Sequence, residues 1–367
     1  MALLSRYLLS EYLKWLAILL TTLVMVFLTI DSLDKVRWYI KYNPTFLSVL
    51  EYFILKVPKI VSDLMPIALF LASLVTLLLL AKNNEIVSMM SAGISMVRIT
   101  MPILIVGGVV SAIFFFLNGA FIPATYKQAR IVQLEKIENG GSVGARGTFV
   151  QNKIWLRVSR QTLLYAQLVD TKKNAMFGVH LYYLGNLIPM EAEIEAASLS
   201  HEIGGWILSN GVHIQYQQDG TVSKTPFVRK TVQIEKTLLE IQRLEIKPDE
   251  MTYEQLRLYI DQLKKDGLNA NRYEVGLNRK YAFPFSNFVL AILGIPIAFK
   301  YMNLKQGGMA RPVLLGLGVV LLYWLSFSIT YSMGRLETLS PWVAGFGPHI
   351  VFLALGIVLL INLHHHI

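Results

Sequence analysis

Two kinds of hydrophobic pattern divide the chain: long apolar stretches at both ends and short alternating runs in the middle. Six stretches have the roughly 20 mostly apolar residues that a bilayer-crossing helix needs. They are residues 15–30, about 58–81, 99–122, 281–299, 312–333 and 342–363, and none of the last three holds a formally charged residue. The first is uncharged between Lys14 and Asp31 and reaches full length by borrowing flanking residues. Alternating runs follow at 147–151, 153–158, 163–169, 178–183, 205–208, 211–216 and 231–234, punctuated by Asn210-Gly211 and Asp219-Gly220. Evenly spaced strands with such turn signals predict a β-sandwich or jelly roll. Thr252-Tyr-Glu-Gln255 then reads as a capping box, opening a polar helix that runs to about Asp266 and stops at Gly267. The predicted organisation is a membrane α-helical protein, six spans as three plus three, with an inserted all-β jellyroll-like domain. Its divisions are 1–122 (with an amphipathic link at about 82–95), 123–250, 251–271 (a helix and linker) and 272–367.

Composition sharpens this. Charged residues make up 16 % of the 367, against about 25 % in soluble domains, which excludes an ordinary soluble enzyme and a disordered chain. The net charge of +10 would suit nucleic acid, anionic lipid or membrane topology. The basic residues form no aromatic-interleaved runs, which argues against nucleic acid. Without cysteine there is no disulfide, thiol nucleophile or thiolate metal site. The first apolar stretch is too long for a cleaved signal peptide and lacks a small-x-small exit. An even number of spans puts both termini on one side and the β-domain on the other. The terminal side carries Arg6, Lys14, Lys82, Arg98, Lys300, Lys305 and Arg311; the other carries Lys35, Arg37, Lys41, Lys56, Lys59 and Arg335. That near tie does not orient the chain by the positive-inside rule; Arg6 and Lys14 ahead of the first span favour cytoplasmic termini.

Two stretches carry candidate chemistry. The first, Asp31-Ser-Leu-Asp-Lys35-Val-Arg37-Trp-Tyr-Ile-Lys41, closes the first span. Its basic residues beside Trp38 and Tyr39 read either as interfacial anchors or as a cluster attracting a phosphorylated headgroup. Asp31 and Lys35 are spaced for an i,i+4 pair. On an unbroken helix Lys35 lies about 200° from Arg37, so the three cations meet one ligand only if the helix loosens. The second stretch is Lys82-Asn-Asn-Glu85-Ile86-Val-Ser-Met89-Met90-Ser-Ala-Gly93. Asn83 or Asn84 can cap it, Glu85 suits the first-turn dipole, and Ile86, Met89, Met90 and Gly93 fall on one soft face. It reads as a helix lying on the membrane or as one docking into another protein, since Met surfaces adapt to partners.

Other features carry less. Asp63, one turn from Lys59, is read as a local ion pair in preference to an ion relay. Gly140 to Gly147 lacks the order of a phosphate loop, and no Walker A motif occurs in the chain, so ATP hydrolysis would belong to another subunit. His180, His201 and His213 lack metal-ligand spacing and read as surface or core residues, and His364 to His366 read either as a weak metal binder or, sufficiently, as a polar stop to the last span. No nucleophile elbow, zinc-protease motif or carboxylate pair is present, so active-site chemistry is not indicated, and the chain is expected to carry no catalytic residue, metal or cofactor of its own.

Three spans, a β-domain and three more spans resemble the LptF/LptG family of lipopolysaccharide export permeases over essentially the whole chain. The most specific stretches are Val57-Pro58-Lys59 and Glu85-Ile-Val-Ser-Met-Met-Ser-Ala-Gly93, the latter similar to the family's E-[LI]-x-x-M-x-[AS]-x-G. Asp31-Ser-Leu-Asp-Lys35 resembles the D-x-L-x-K of LptG, and Asn271-Arg-Tyr273 its approach to the fourth span. The resemblance implies an ABC transporter permease of the inner membrane, with the β-domain periplasmic. It implies pairing with an LptF-type permease and an LptB-type ATPase dimer that binds the ATP and magnesium, and handing lipopolysaccharide toward LptC and LptA and so to outer membrane biogenesis. It further implies that Glu85 and its helix (Ile86, Met89, Met90, Gly93) transmit the ATPase motion, and that Lys35 contacts lipid A or core phosphates. Arg37 and Lys41 join Lys35 on local chemistry, and Arg130 falls near another basic family position. A permease for another anionic lipid or lipoprotein, and a membrane-anchored β-domain scaffold, are the rival readings.

Overall fold

The structure, a computed structural model, describes residues 2–138, 150–159, 161–170, 175–184, 192–202, 205–216, 221–232, 234, 248–265, 267, 269–302 and 309–366. The chain forms two compact units, Met1–Gln133 with Pro248–Ile367, and Leu134–Lys247. The Gly-rich run 140–147, residues 147–149 of the first alternating run and the Asp219-Gly220 turn lie outside the described residues.

The first unit is helical: α1 (Ala2–Asp34), α2 (Val36–Tyr42), α3 (Phe46–Lys82), α4 (Glu85–Ser91), α5 (Met96–Gly119), α6 (Phe121–Val132), α7 (Tyr253–Lys265), α8 (Asn271–Ala282), α9 (Phe285–Lys300), α10 (Ala310–Arg335) and α11 (Pro341–His366). Five of these are long and apolar enough to cross a membrane, and α8 with α9, bent by 51°, passes as a sixth span. The bend falls at Pro284, whose missing N–H interrupts the helical ladder. The reciprocal capping box at α7 forms as predicted: Gln255 N donates to Thr252 Oγ1 at 3.2 Å and Thr252 N to Gln255 Oε1 at 3.1 Å.

Helix α3 is the axis of this unit. Leu69, Phe70, Leu74 and Leu77 are buried against Leu290 and Ile295 of α9 and Ile103 of α5 in one cluster. In lipid the hydrophobic effect does not drive helices together, so such contacts hold by close packing and internal hydrogen bonds. One of these bonds secures α1: Tyr12 Oη donates to Leu69 O at 3.3 Å and accepts from Ser73 Oγ at 3.4 Å. Beyond α5 the chain remains helical for another twelve residues as α6, although residues from 123 onward have the composition of a soluble segment. Ile122, Ala129 and Val132 are buried on one side while Lys127 and Gln128 face outward, so α6 is an amphipathic helix packed on α3. The β unit accordingly begins at Leu134 instead of residue 123.

The second unit is a six-stranded antiparallel sheet in which each strand pairs with its chain neighbour: β1 (Val150–Ser159), β2 (Thr162–Asp170), β3 (Ala175–Tyr183), β4 (Ala192–Glu202), β5 (Gly205–Tyr216) and β6 (Val222–Val232). This all-β domain is an up-and-down meander among the described residues, without the crossed strand order of a Greek key. Each ladder passes over one pair, at 153/167, 167/178, 178/197, 197/210 and 210/228, so the breaks form a line across the sheet. Gly178 (φ 60°) and Asn210 (φ 53°) lie on that line in the left-handed region. A local irregularity of one residue switches which side chains face inward. Val179 and Leu181 therefore share a core with Met176, and Ile194 and Ala196 with Leu199, so both halves of one bent sheet supply a single core. The Asn210-Gly211 pair, expected as a turn between two strands, is instead the bend within the twelve-residue β5. A Cβ on Gly211 would lie 2.2 Å from Glu195 O, so the neighbouring strand approaches where only glycine fits.

Candidate functional site

The basic cluster sits where α1 breaks. Lys35 is the single residue between α1 and α2, and its N–H donates to both Asp31 O (3.2 Å) and Ser32 O (3.1 Å). The regular helix is interrupted there for one residue only, and the i→i−4 bond to Asp31 is kept. Lys41 lies in the last turn of α2 with Nζ 4.9 Å from the Tyr42 ring centre; the Arg37 side chain lies outside the described ones. Asp31 binds Lys56 of α3, with Oδ2 and Nζ 2.6 Å apart and both side chains only 14 % exposed. That clamp fixes the last turn of α1 on α3 directly before Lys35. Nothing in the local pattern marked Lys56 as the partner, because 25 positions separate the two residues.

One turn along α3 from Lys56, Lys59 Nζ meets Asp63 Oδ1 at 2.8 Å, the predicted i,i+4 pair. Lys59, Asp63, Asp249, Arg279 and Lys280 line one polar recess with Asn118 and Phe283. Arg130 of α6 donates from Nη1 to Glu250 Oε1 at 2.6 Å, and Glu250 is 6 % exposed. Lys280 Nζ donates to Pro248 O at 3.1 Å and to Met251 O. Arg130 and Lys280 thus hold the 3₁₀ turn Pro248–Glu250, where the chain returns from the β unit. Asn118, near the end of α5, donates to Ser62 Oγ at 3.2 Å, which places the departure toward the β unit at this same end of the bundle. Glu250 and Lys280 carried no motif; their roles arise from contacts across more than 25 positions.

Helix α4 lies at the opposite end. Ile86 is fully buried in the bundle core, with Met89 and Met90 packed partly against it; Val87, Ser88, Ser91 and Ala92 are exposed. The soft face therefore roots α4 in the bundle, and the outward surface pairs the apolar Val87 with the small Ser88, Ser91 and Ala92. Gly93 (φ 80°) stops the helix: its N–H donates to Met90 O at 2.9 Å and that of Ile94 to Met89 O at 3.0 Å, the paired bonds of a Schellman motif. Asn84 is the N-cap residue but makes no side-chain cap bond, and Asn83 donates instead to Glu85 Oε1 at 3.3 Å. The other oxygen of Glu85 accepts from Tyr7 Oη at 2.8 Å. Tyr7 belongs to the first turns of α1, so one helix touches α4 near its start and ends directly before Lys35. At 33 residues and 1.5 Å per residue, α1 spans about 50 Å.

In the β unit, His180 lies on β3. Pairing of β3 with β4 sets it beside Glu193 and Glu195. His201 instead packs edge-on against Trp206 at 5.1 Å. His213 lies opposite the buried Ile194, and burial, reinforced by Lys230, pulls its pKa below the ordinary value.

Against models of protein families, residues 6–362 match that of the lipopolysaccharide export system permease LptF/LptG. Among curated proteins, the chain is 24 % identical over 308 residues to the lipopolysaccharide export system permease protein LptG of Haemophilus influenzae, covering 82 % of each. It is 18 % identical to LptG of Escherichia coli K12, over 85 % of this chain and 84 % of that one. With LptF of the same strain it shares 23 % over 96 % of this chain and 93 % of the relative. The match runs through both helical halves, the break at Lys35, α4 and the β unit alike, and the chain belongs to the LptF/LptG family of lipopolysaccharide export permeases.

Proposed function

We propose that this chain is the LptG-type half of an ATP-driven exporter that takes lipopolysaccharide from the outer leaflet of the inner membrane and passes it through its periplasmic β unit toward the outer membrane. The observation that carries the reading is α1, one rigid element joined to α4 through Tyr7 and Glu85 and ending in the basic break at Lys35. In this reading an LptB-type ATPase dimer, which holds ATP and magnesium, docks on the exposed side of α4 in the cytoplasm. Its motion enters the bundle through Ile86, Met89 and Met90, while Gly93 fixes where the moving helix ends. The Tyr7–Glu85 bond carries that motion into α1 and so to the substrate end.

Lys35, Arg37 and Lys41 then hold phosphates of the lipid: the lysines as mobile point charges, Arg37 as a two-pronged donor. Arg130 is the weakest member of this set, because Glu250 already neutralises it. Apolar side chains of α1 such as Met25, Val26 and Ile30 stay exposed in the single chain, which suits acyl chains and an LptF-type partner. LptC and LptA receive the lipid beyond the β unit.

The test is ATPase and lipopolysaccharide release by the coexpressed complex. Glu85→Ala is expected to lower turnover or assembly, and Lys35→Ala to keep basal ATPase while losing release. Wild-type behaviour in both variants would sink the mechanism.

A further inference from the structure

The proposed transport mechanism makes no use of His180, Glu193 and Glu195, yet the sheet brings them together. His180 on β3 is directly opposite Glu195 on β4. Glu193 is two residues from Glu195 and so projects from the same face. That face is opposite the core, which takes Leu181, Ile194 and Ala196 from the intervening positions. His180 Nδ1 lies 3.1 Å from Glu193 Oε1 and 3.7 Å from Glu195 Oε1, and one ligand atom from each residue falls within 4.8 Å of the others.

A tetrahedral zinc ion bound at about 2.0–2.2 Å by nitrogen and oxygen sets its donors roughly 3.3 Å apart. The two His–Glu spacings bracket that value and the third pair lies within 4.8 Å, so side-chain rotations alone can bring the three donors onto one ion. Two carboxylates balance a divalent charge while the imidazole binds neutral. The surroundings hold the donors in place. Tyr182 stacks on His180 at 6.1 Å with the rings 12° apart, and Tyr165 flanks it at 5.7 Å. Tyr216 Oη approaches the second oxygen of Glu193 at 3.5 Å, leaving Oε1 toward the histidine. Such outer partners fix the orientation of metal-binding side chains. Glu193 is 13 % exposed and Glu195 50 %, so the site opens on one side.

We infer that His180, Glu193 and Glu195 form a site for a divalent ion of the zinc type, with three protein donors and a fourth position open to water or an anionic oxygen.

The full chain, purified in detergent without a histidine tag and with His364, His365 and His366 changed to alanine, is stripped with chelator and titrated with zinc chloride. Those terminal histidines are removed because a run of three binds zinc by itself. One zinc per chain is expected, with His180→Ala and Glu193→Gln weakening binding at least 30-fold and His201→Asn leaving it unchanged. Zinc K-edge absorption is expected to show only nitrogen and oxygen neighbours near 2.0 Å, with a single imidazole lost in His180→Ala. Should His180→Ala fail to fold, the exposed Glu195→Gln carries the test, with at least a 5-fold loss expected. Zinc binding weaker than about 1 mM, or binding indifferent to His180 and Glu195, would leave only a histidine–carboxylate ion pair and overturn the proposal.

Discussion

Removing the carboxylate of Asp31 tests whether the C-terminal end of α1 is set by its clamp to α3. The Asp31–Lys56 contact is 2.6 Å long with each side chain 14 % exposed. At an effective dielectric constant near 20 the gross attraction is about 6 kcal/mol, most of it offset by the desolvation of both ions. Deleting one partner does not merely forfeit the small net gain; it leaves Lys56 charged in a poorly solvated place. Such losses run about 3–5 kcal/mol for fully buried pairs, and partial exposure here lowers the expectation for Asp31→Ala to about 2–4 kcal/mol. Replacing both residues, as Asp31→Ala with Lys56→Met, removes both charges and should return stability to within about 1 kcal/mol of wild type. The coupling from the double-mutant cycle should then exceed roughly 1.5 kcal/mol. The assay is unfolding in mixed micelles followed by tryptophan fluorescence, with lipopolysaccharide release measured on the same four proteins. Release should fall in Asp31→Ala, because the N–H of Lys35 donates to the Asp31 carbonyl in the turn that this clamp steadies. A loss below about 0.5 kcal/mol, or a double variant as unstable as the sum of the singles, would refute the reasoning.

Three further outcomes follow from the same structure. Tyr7→Phe removes the bond to Glu85 while keeping the ring, and should reduce lipopolysaccharide release per ATP hydrolysed with the complex still assembled; unchanged coupling would mean that α4 does not act through α1. Gly211→Ala puts a methyl group 2.2 Å from a backbone oxygen of β4, which should cost about 2–3 kcal/mol as an overpacked site; a thermal midpoint matching wild type would show that the strand yields freely. His213 has its pKa lowered on folding by burial and then by Lys230, so below about pH 6.5 the unfolded chain binds the extra proton first. Stability should fall as pH drops from 6.5 toward the folded pKa and level off below it, and His213→Asn should flatten that slope in thermal midpoints taken across pH 5–8.

Much of the architecture was legible because its causes are local. A stretch of about 20 apolar residues has few fates besides a buried or membrane-crossing helix, and the three-plus-three pattern survives as five helices and one bent pair. The capping box at Thr252 and the ion pair at Asp63 were readable for the same reason, since both partners lie within one helical turn. Strand β4 was missed because Ala192–Glu202 is rich in alanine and glutamate, which are depleted in strands. Its place is set by its neighbours on either side. Edge strand β6 was seen only at its end, as it carries Pro226, which an edge tolerates because one side needs no partner.

The sequence by itself determined the membrane class, the inserted β unit, the positions of Lys35 and α4, and the resemblance that the family match bears out. Each rests on composition or on patterns within a few turns of chain. Tertiary structure alone decided that Asp31 turns to Lys56, that Glu85 is held by Tyr7, that Arg130 is met by Glu250, and that His180 lies between two glutamates. These contacts join residues 13 to 120 positions apart, and the strength of an ion pair or hydrogen bond depends on distance and burial in space, neither of which is encoded in spacing along the chain.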